Sequence, residues 1–195
     1  ADAIDRMGGI DVGWNNAGIM GVSSPLQDLG WSDYRALMEV NLDAVFRGSQ
    51  RFAQAMIRQG TPALILNTGS ENSLFHGVPG GGAYVATKAA VRALTRSLDE
   101  DTPRHIQAQL ICPGFVHTQL GPDEQFRHGM HADRFADIAF PQIGADRFFI
   151  LTHGYNAVRV REETDRLLGE FETSGAASAE DTARYDVRSI YESLT

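Results

Sequence analysis

Residues Asn67 to Ala90 read N-T-G-S-E-N-S-L-F-H-G-V-P-G-G-G-A-Y-V-A-T-K-A-A, and Tyr84 and Lys88 are the two side chains in this stretch that give the chain its meaning. They stand four residues apart at the start of a run, Ala83 to Leu98, whose pattern predicts a helix. Four residues is about one helical turn, so the phenol and the ammonium share a face with Cβ atoms about 5–6 Å apart. A tyrosine titrates at about 10 in water, and a neighbouring cation that stabilises its phenolate lets it act as acid or base nearer neutrality. Upstream, Ala63-Leu64-Ile65-Leu66 is a short apolar run of strand type, and Ser70 falls just past its end, at the carboxyl edge where a parallel sheet holds ligands. A hydroxyl there can hold a carbonyl or alcohol oxygen while Tyr84 moves the proton. Alone, the Tyr84 and Lys88 pair carries little weight, since an ordinary solvated helix face looks the same, so its surroundings decide.

Outward from that stretch, strand patterns recur near residues 10–14, 63–67, 106–112 and 147–152, separated by helical patterns. This alternation specifies an α/β fold with a parallel sheet and crossover helices. The strand Ile10 to Trp14 runs into Asn15-Asn16-Ala17-Gly18, small and amide residues that hold a turn and let a flat ligand approach the backbone. Ser32 is a plausible N-cap for a long helix whose apolar stripe is Tyr34, Leu37, Met38, Leu42, Val45 and Phe46, and Asn41 falls on that stripe. Pro113-Gly114 closes the strand Ile106 to Cys112. Gly80-Gly81-Gly82 is no phosphate cradle, because the dinucleotide fingerprint sits between the first strand and first helix of a βαβ unit and these glycines lead into a later helix.

The segment resembles the active site of the short-chain dehydrogenase/reductase family, in which a strand delivers Asn-x-x-Ser and a Tyr-x-x-x-Lys helix follows about a dozen residues later. Asn67 to Ser70 and Tyr84 to Lys88 match it, N-N-A-G matches a second hallmark, and Pro113-Gly114 through Thr118 matches Pro-Gly-x-x-x-Thr. The likeness covers roughly Ile10 to Thr118. The resemblance implies that Asn41, Ser70, Tyr84 and Lys88 are catalytic. Ser70 would orient the substrate oxygen, Tyr84 would exchange its proton, Lys88 would lower the tyrosine pKa and hold the ribose, and Asn41 would hold a water linking the lysine to solvent. It also implies that NAD or NADP lies against Asn16, Ala17, Gly18, Tyr84, Lys88, Pro113, Gly114, Val116 and Thr118. The substrate would be a small alcohol or ketone, and the assembly a homodimer or homotetramer. The Tyr-x-x-x-Lys spacing counts against the enoyl reductase branch, and N-N-A-G against the sugar-nucleotide epimerases.

Composition fits that expectation. The 195 residues are 43% hydrophobic and carry a formal charge of −8, from 17 Lys and Arg against 25 Asp and Glu, with no basic block. A nucleic-acid partner is therefore not expected, and no apolar run approaches the ~20 residues that span a bilayer. Cys112 is the single cysteine; it lies in an apolar run as a small core residue, and the cytoplasm is the expected compartment.

Residues 1–154 are expected to form the Rossmann-type unit. They include a substrate-covering segment near 119–146, whose Phe126, Met130, Phe135, Ile138 and Phe140 fit a lid and a packed surface helix equally well. His128-x-x-His131 is half a metal site without an evident third ligand, so no metal is assigned. Residues 155–195 read as a helical tail, beginning where the chain has His153-Gly154-Tyr155 in place of the family's Asp-Gly-Gly turn. By its N-N-A-G ending the first strand here corresponds to strand 4 of a doubly wound 3-2-1-4-5-6 sheet. Strands 4 to 7 would then be present and strands 1 to 3, with the glycine-rich loop, absent. The rival reading is a catalytically silent nucleotide-binding or interaction protein of the same fold.

Overall fold

The computed structural model describes residues 2–120, 123–175 and 178–194. The helix with which the sequence opens runs over Asp2–Met7 (α1); Ala1 lies outside the described residues. Two compact units divide the chain, residues 1–156 and residues 157–195.

The first unit is built on a parallel sheet of four strands in the order β1-β2-β3-β4. These are Val12–Asn15 (β1), Ala63–Thr68 (β2), Ile106–Cys112 (β3) and Phe149–Leu151 (β4). Val12 pairs with Leu64, Ala63 with Ile106 and Leu110 with Phe149. All four lie where the sequence places them. The two middle strands are largely buried because both faces of a parallel sheet are covered, with Gln107 and Gln109 interrupting the apolar residues of β3. Alternation sorts their side chains: Ile65 packs with Ala53, Met56 and Ala108, whereas Leu64 and Leu66 pack with Ile111, Ala139 and Ile150 on the opposite face.

Between β1 and β2 the helical run has three parts: Trp31–Met38 (α2), a wide turn over Glu39–Asp43, and Ala44–Gln59 (α3). Two expectations are corrected here. Ser32 is not the N-cap; that position falls two residues earlier on Gly30, which has extended backbone and makes no side-chain cap. Phe46 leaves the buried stripe and is 50% exposed. The wide turn at Glu39–Asp43 changes the phase of the helix, so that burial continues through Val45, Ser49, Ala53 and Met56 instead. The same turn carries Asn41 inward, fully buried.

Helix α4 spans Gly82–Asp101 and buries Tyr84, Thr87, Lys88, Val91 and Thr95 along one face. After β3 come Asp123–Phe126 (α5) and Ala132–Ala139 (α6). The second unit holds Ala157–Thr173 (α7), Ala179–Tyr185 (α8) and Val187–Leu194 (α9). Ser178 caps α8 by accepting from the Asp181 N–H at 3.0 Å, and Asp186 separates α8 from α9.

Candidate active site

Parallel strands end at one edge of the sheet, and the loops leaving that edge enclose a cavity of about 770 Å³. Its lining includes Ser70, Tyr84, Lys88, Asn16, Ala17, Gly18, Pro113, Gly114, Val116 and Thr118, so every residue the sequence assigns to the site except Asn41 meets here. Leu120, Phe126 and Phe135 from the segment after β3 also line it, while Phe140 stays 62% exposed.

Ser70 caps the short turn Glu71–Ser73: its Oγ accepts from the Asn72 N–H at 3.2 Å and from Asn72 Nδ2 at 3.3 Å. Both interactions use oxygen lone pairs, leaving the hydroxyl proton to be donated elsewhere. Lys88 Nζ donates to the Thr68 carbonyl at 3.0 Å. Ser73 Oγ donates to the Lys88 carbonyl at 2.8 Å, so the Ser70 turn is bolted to α4.

Burial dominates the electrostatics. It pushes the Tyr84 phenol above its ordinary value; the nearby Ser70 hydroxyl pulls the other way, and the Glu71 carboxylate adds a smaller upward push. Lys88 is pushed down to about 8, again by burial, against a smaller upward pull from Cys112. The sequence expectation that Lys88 holds the tyrosine low is not what this geometry gives. The ammonium stands 5.6 Å from the centre of the phenol ring and is itself desolvated, so burial outweighs it. Cys112 is buried and pushed up to about 12, consistent with an inert core thiol.

Asn41 sits behind the cavity. Its Oδ1 accepts from the Ile19 N–H at 2.8 Å, and its Nδ2 donates to the Ile19 carbonyl at 2.8 Å and to Thr87 Oγ1 at 3.3 Å. A Cβ on Gly18 would lie 3.4 Å from Asn41 Oδ1 and 3.6 Å from Lys88 Nζ, so Gly18 is the thin spacer between them. The amide thus fixes the loop leaving β1. A second bracket, Trp14 Nε1 to Thr68 Oγ1 to Asn16 Oδ1, each step 2.9 Å, ties that loop to β2.

Three residues of the site escape the sequence reading. Glu71 lines the cavity, and its carboxylate accepts from Asn156 Nδ2. His153, buried after β4, accepts at Nδ1 from the Gly114 N–H at 3.2 Å and faces the Phe115 carbonyl through Nε2 at 3.2 Å, so Nε2 carries the proton. Together they brace the turn at Gly114. Only the carboxyl group directly after Ser70 was a signal in the sequence; His153 and Asn156 reach the site through the fold. His131 caps α6 by accepting from the Asp133 N–H at 3.4 Å, and among the described residues no group of three His, Cys, Asp or Glu could hold a metal.

The sequence profile of the short chain dehydrogenases matches residues 1–127. The chain is 31% identical over 175 residues to 1-deoxy-11-beta-hydroxypentalenate dehydrogenase of Streptomyces arenae, covering 84% of this chain and 62% of that protein. It thus spans about three fifths of that relative's length. Among solved structures, a short chain dehydrogenase/reductase from Burkholderia phymatum in complex with NAD superposes with a TM-score of 0.74 at 28% identity, over 86% of this chain and 70% of that one. Gluconate 5-dehydrogenase from Burkholderia cenocepacia, in complex with NADP and tartrate, gives 0.57 at 41% identity, over 61% and 46%.

Proposed function

This chain belongs to the short chain dehydrogenase family, and we propose that it transfers a hydride between NAD or NADP and the carbon of a ketone or secondary alcohol, with Tyr84 as general acid and base. The observation that carries the reading is the convergence of Ser70, Tyr84 and Lys88 on one cavity of about 770 Å³, within the range of small-molecule sites. The residues present suit the nicotinamide end of the cofactor: an ammonium at Lys88, a hydroxyl at Thr118, and thin walls at Ala17, Gly18 and Gly114 against a flat ring. When bound, the cofactor supplies the hydride acceptor or donor.

The chain's own residues handle the oxygen. In the reducing direction Ser70 and Tyr84 donate to the carbonyl oxygen, and Tyr84 gives up its proton as that oxygen becomes an alcohol. The raised Tyr84 keeps the phenol protonated near neutrality, the state this step needs. In the oxidising direction the phenolate takes the proton back. Lys88 would hold the ribose, and its ammonium, 5.6 Å from the centre of the phenol ring, offsets only part of what burial costs the transient phenolate. Asn41 serves a water relay to Lys88, a role supported by their closeness across Gly18.

A groove lined by Leu42, Phe46, Ala90, Ala93 and Leu94, with Asp43, Arg47 and Ser97 beside them, supports assembly as a homodimer or homotetramer. Among the described residues no helix is long and apolar enough to cross a membrane.

The test is absorbance of the reduced nicotinamide ring with each cofactor and a panel of ketones and alcohols, for wild type and Tyr84→Phe. Turnover that the substitution removes supports the reading; cofactor binding without turnover of any substrate would favour the silent-protein alternative.

A further inference from the structure

We infer that Glu71 is a specificity-determining residue, whose carboxylate selects substrates bearing a neutral hydroxyl next to the reacting carbon and turns away those bearing a carboxylate. The inference rests on the oxidoreductase reading of the same cavity. Of the described residues lining it, Glu71 and Lys88 alone have charged side chains. Lys88 is already engaged with the Thr68 carbonyl. Glu71 is held differently. Its backbone N–H donates to the Pro113 carbonyl at 2.7 Å, and Asn156 Nδ2 donates to Oε2. A Cβ on Gly114 would come within 2.8 Å of that same oxygen, so Oε2 is pinned against the loop after β3. Oε1 has no hydrogen-bond partner among the described residues, and it is not a sealed, orphaned atom.

Glu71 also has no basic side chain within ion-pair distance among the described residues. A fixed carboxylate with one unused oxygen is an acceptor awaiting a donor. Its charge is felt at the reacting centre, since it contributes to the upward push on Tyr84. The donor it takes is a hydroxyl: Lys88 in the same cavity disfavours a second cation, and the walls at Val78, Phe115, Phe126 and Phe135 leave the body of the ligand apolar. A substrate carboxylate beside Glu71 would meet a like charge, while the cation of the cavity, Lys88, is turned to the Thr68 carbonyl at 3.0 Å. A hydrogen bond to a charged group discriminates by about 10- to 100-fold.

The test is NMR titration of the full chain with three matched ligands: cyclohexane-1,2-diol, cyclohexanol and cyclohexanecarboxylate. Wild type is expected to bind the diol at least about tenfold more tightly than cyclohexanol, and the carboxylate most weakly. Glu71→Gln should shrink the first preference and strengthen binding of the carboxylate, while Glu71→Asp, which keeps the charge, should still reject it. Equal affinities in wild type, no binding of any ligand, or an unchanged ranking in Glu71→Gln would overturn the assignment. Because binding needs no turnover, a diol preference without hydride transfer to any ketone upholds Glu71 and sinks the oxidoreductase reading. Hydride transfer without a diol preference does the reverse.

Discussion

Lys88 Nζ donates to the Thr68 carbonyl oxygen at 3.0 Å, which ties the cation of α4 to the last residue of β2. The ammonium reaches the sheet edge only by being buried, at 4% exposure. That burial lowers its pKa from 10.5 to about 8, roughly 3 kcal/mol against the charged form as an upper figure.

A stability consequence follows for Lys88→Met. The folded pKa lies below the unfolded one, so between about 8 and 10.5 the unfolded chain holds more protons and wild-type stability rises with pH. Below about 8 the penalty is present in full. The Met variant escapes it but loses the bond to Thr68, worth about 1 kcal/mol. We expect a net gain on the order of 1–2 kcal/mol at neutral pH, shrinking near pH ~10, together with lost activity. Urea unfolding at both pH values measures it; a variant less stable at neutral pH would show that the charge is better solvated than its burial indicates.

Tyr84→Phe should lower turnover by at least about 10²-fold while leaving cofactor affinity nearly unchanged. In wild type the raised Tyr84 makes alcohol oxidation, which needs the phenolate, climb as pH rises into the alkaline range. Glu71→Gln removes one upward push on the phenol, so its oxidation limb should begin at lower pH. Initial rates against pH for the two proteins decide this, and superposed profiles would mean that the Glu71 charge does not reach the phenol.

The strands and the Ser70, Tyr84, Lys88 set were legible because each depends on local pattern: apolar runs for β2 and β3, one helical turn for the pair. The phase change at Asn41 was not. Glu39-Val40-Asn41-Leu42-Asp43 has no glycine or proline to mark a wide turn, so Phe46 read as buried. His153 and the Glu71 to Asn156 pairing were hidden for another reason, since Glu71 and Asn156 are 85 residues apart and meet only once β2 and β4 end at the same edge. Electrostatics inverted one expectation, because spacing shows that Lys88 neighbours Tyr84 but not that both are buried.

Asn41→Ala is expected to cost about 2–4 kcal/mol, because it strips hydrogen-bond partners from both the N–H and the carbonyl of Ile19. Thermal unfolding of the variant checks this. A loss below about 0.5 kcal/mol would show that solvent replaces the amide readily.

Gly114→Ala should displace the loop after β3. A Cβ there would lie 2.5 Å from the His153 ring and 2.8 Å from Glu71 Oε2, and both neighbours are held by other bonds. The cost is about 1–3 kcal/mol, with weakened cofactor binding. Calorimetry with NAD and NADP alongside unfolding tests it, and wild-type values for both would mean that the loop has room to shift.

Hydride transfer steered by Tyr84 is tested most directly by isotope. Reduced cofactor carrying deuterium at both positions of C4 of the nicotinamide is incubated with a ketone substrate and the alcohol product is analysed by mass spectrometry. Deuterium on the carbinol carbon, formed by wild type and lost with Tyr84→Phe, is the expected result. Product alcohol without the label, or labelled product formed equally fast by Tyr84→Phe, would contradict it.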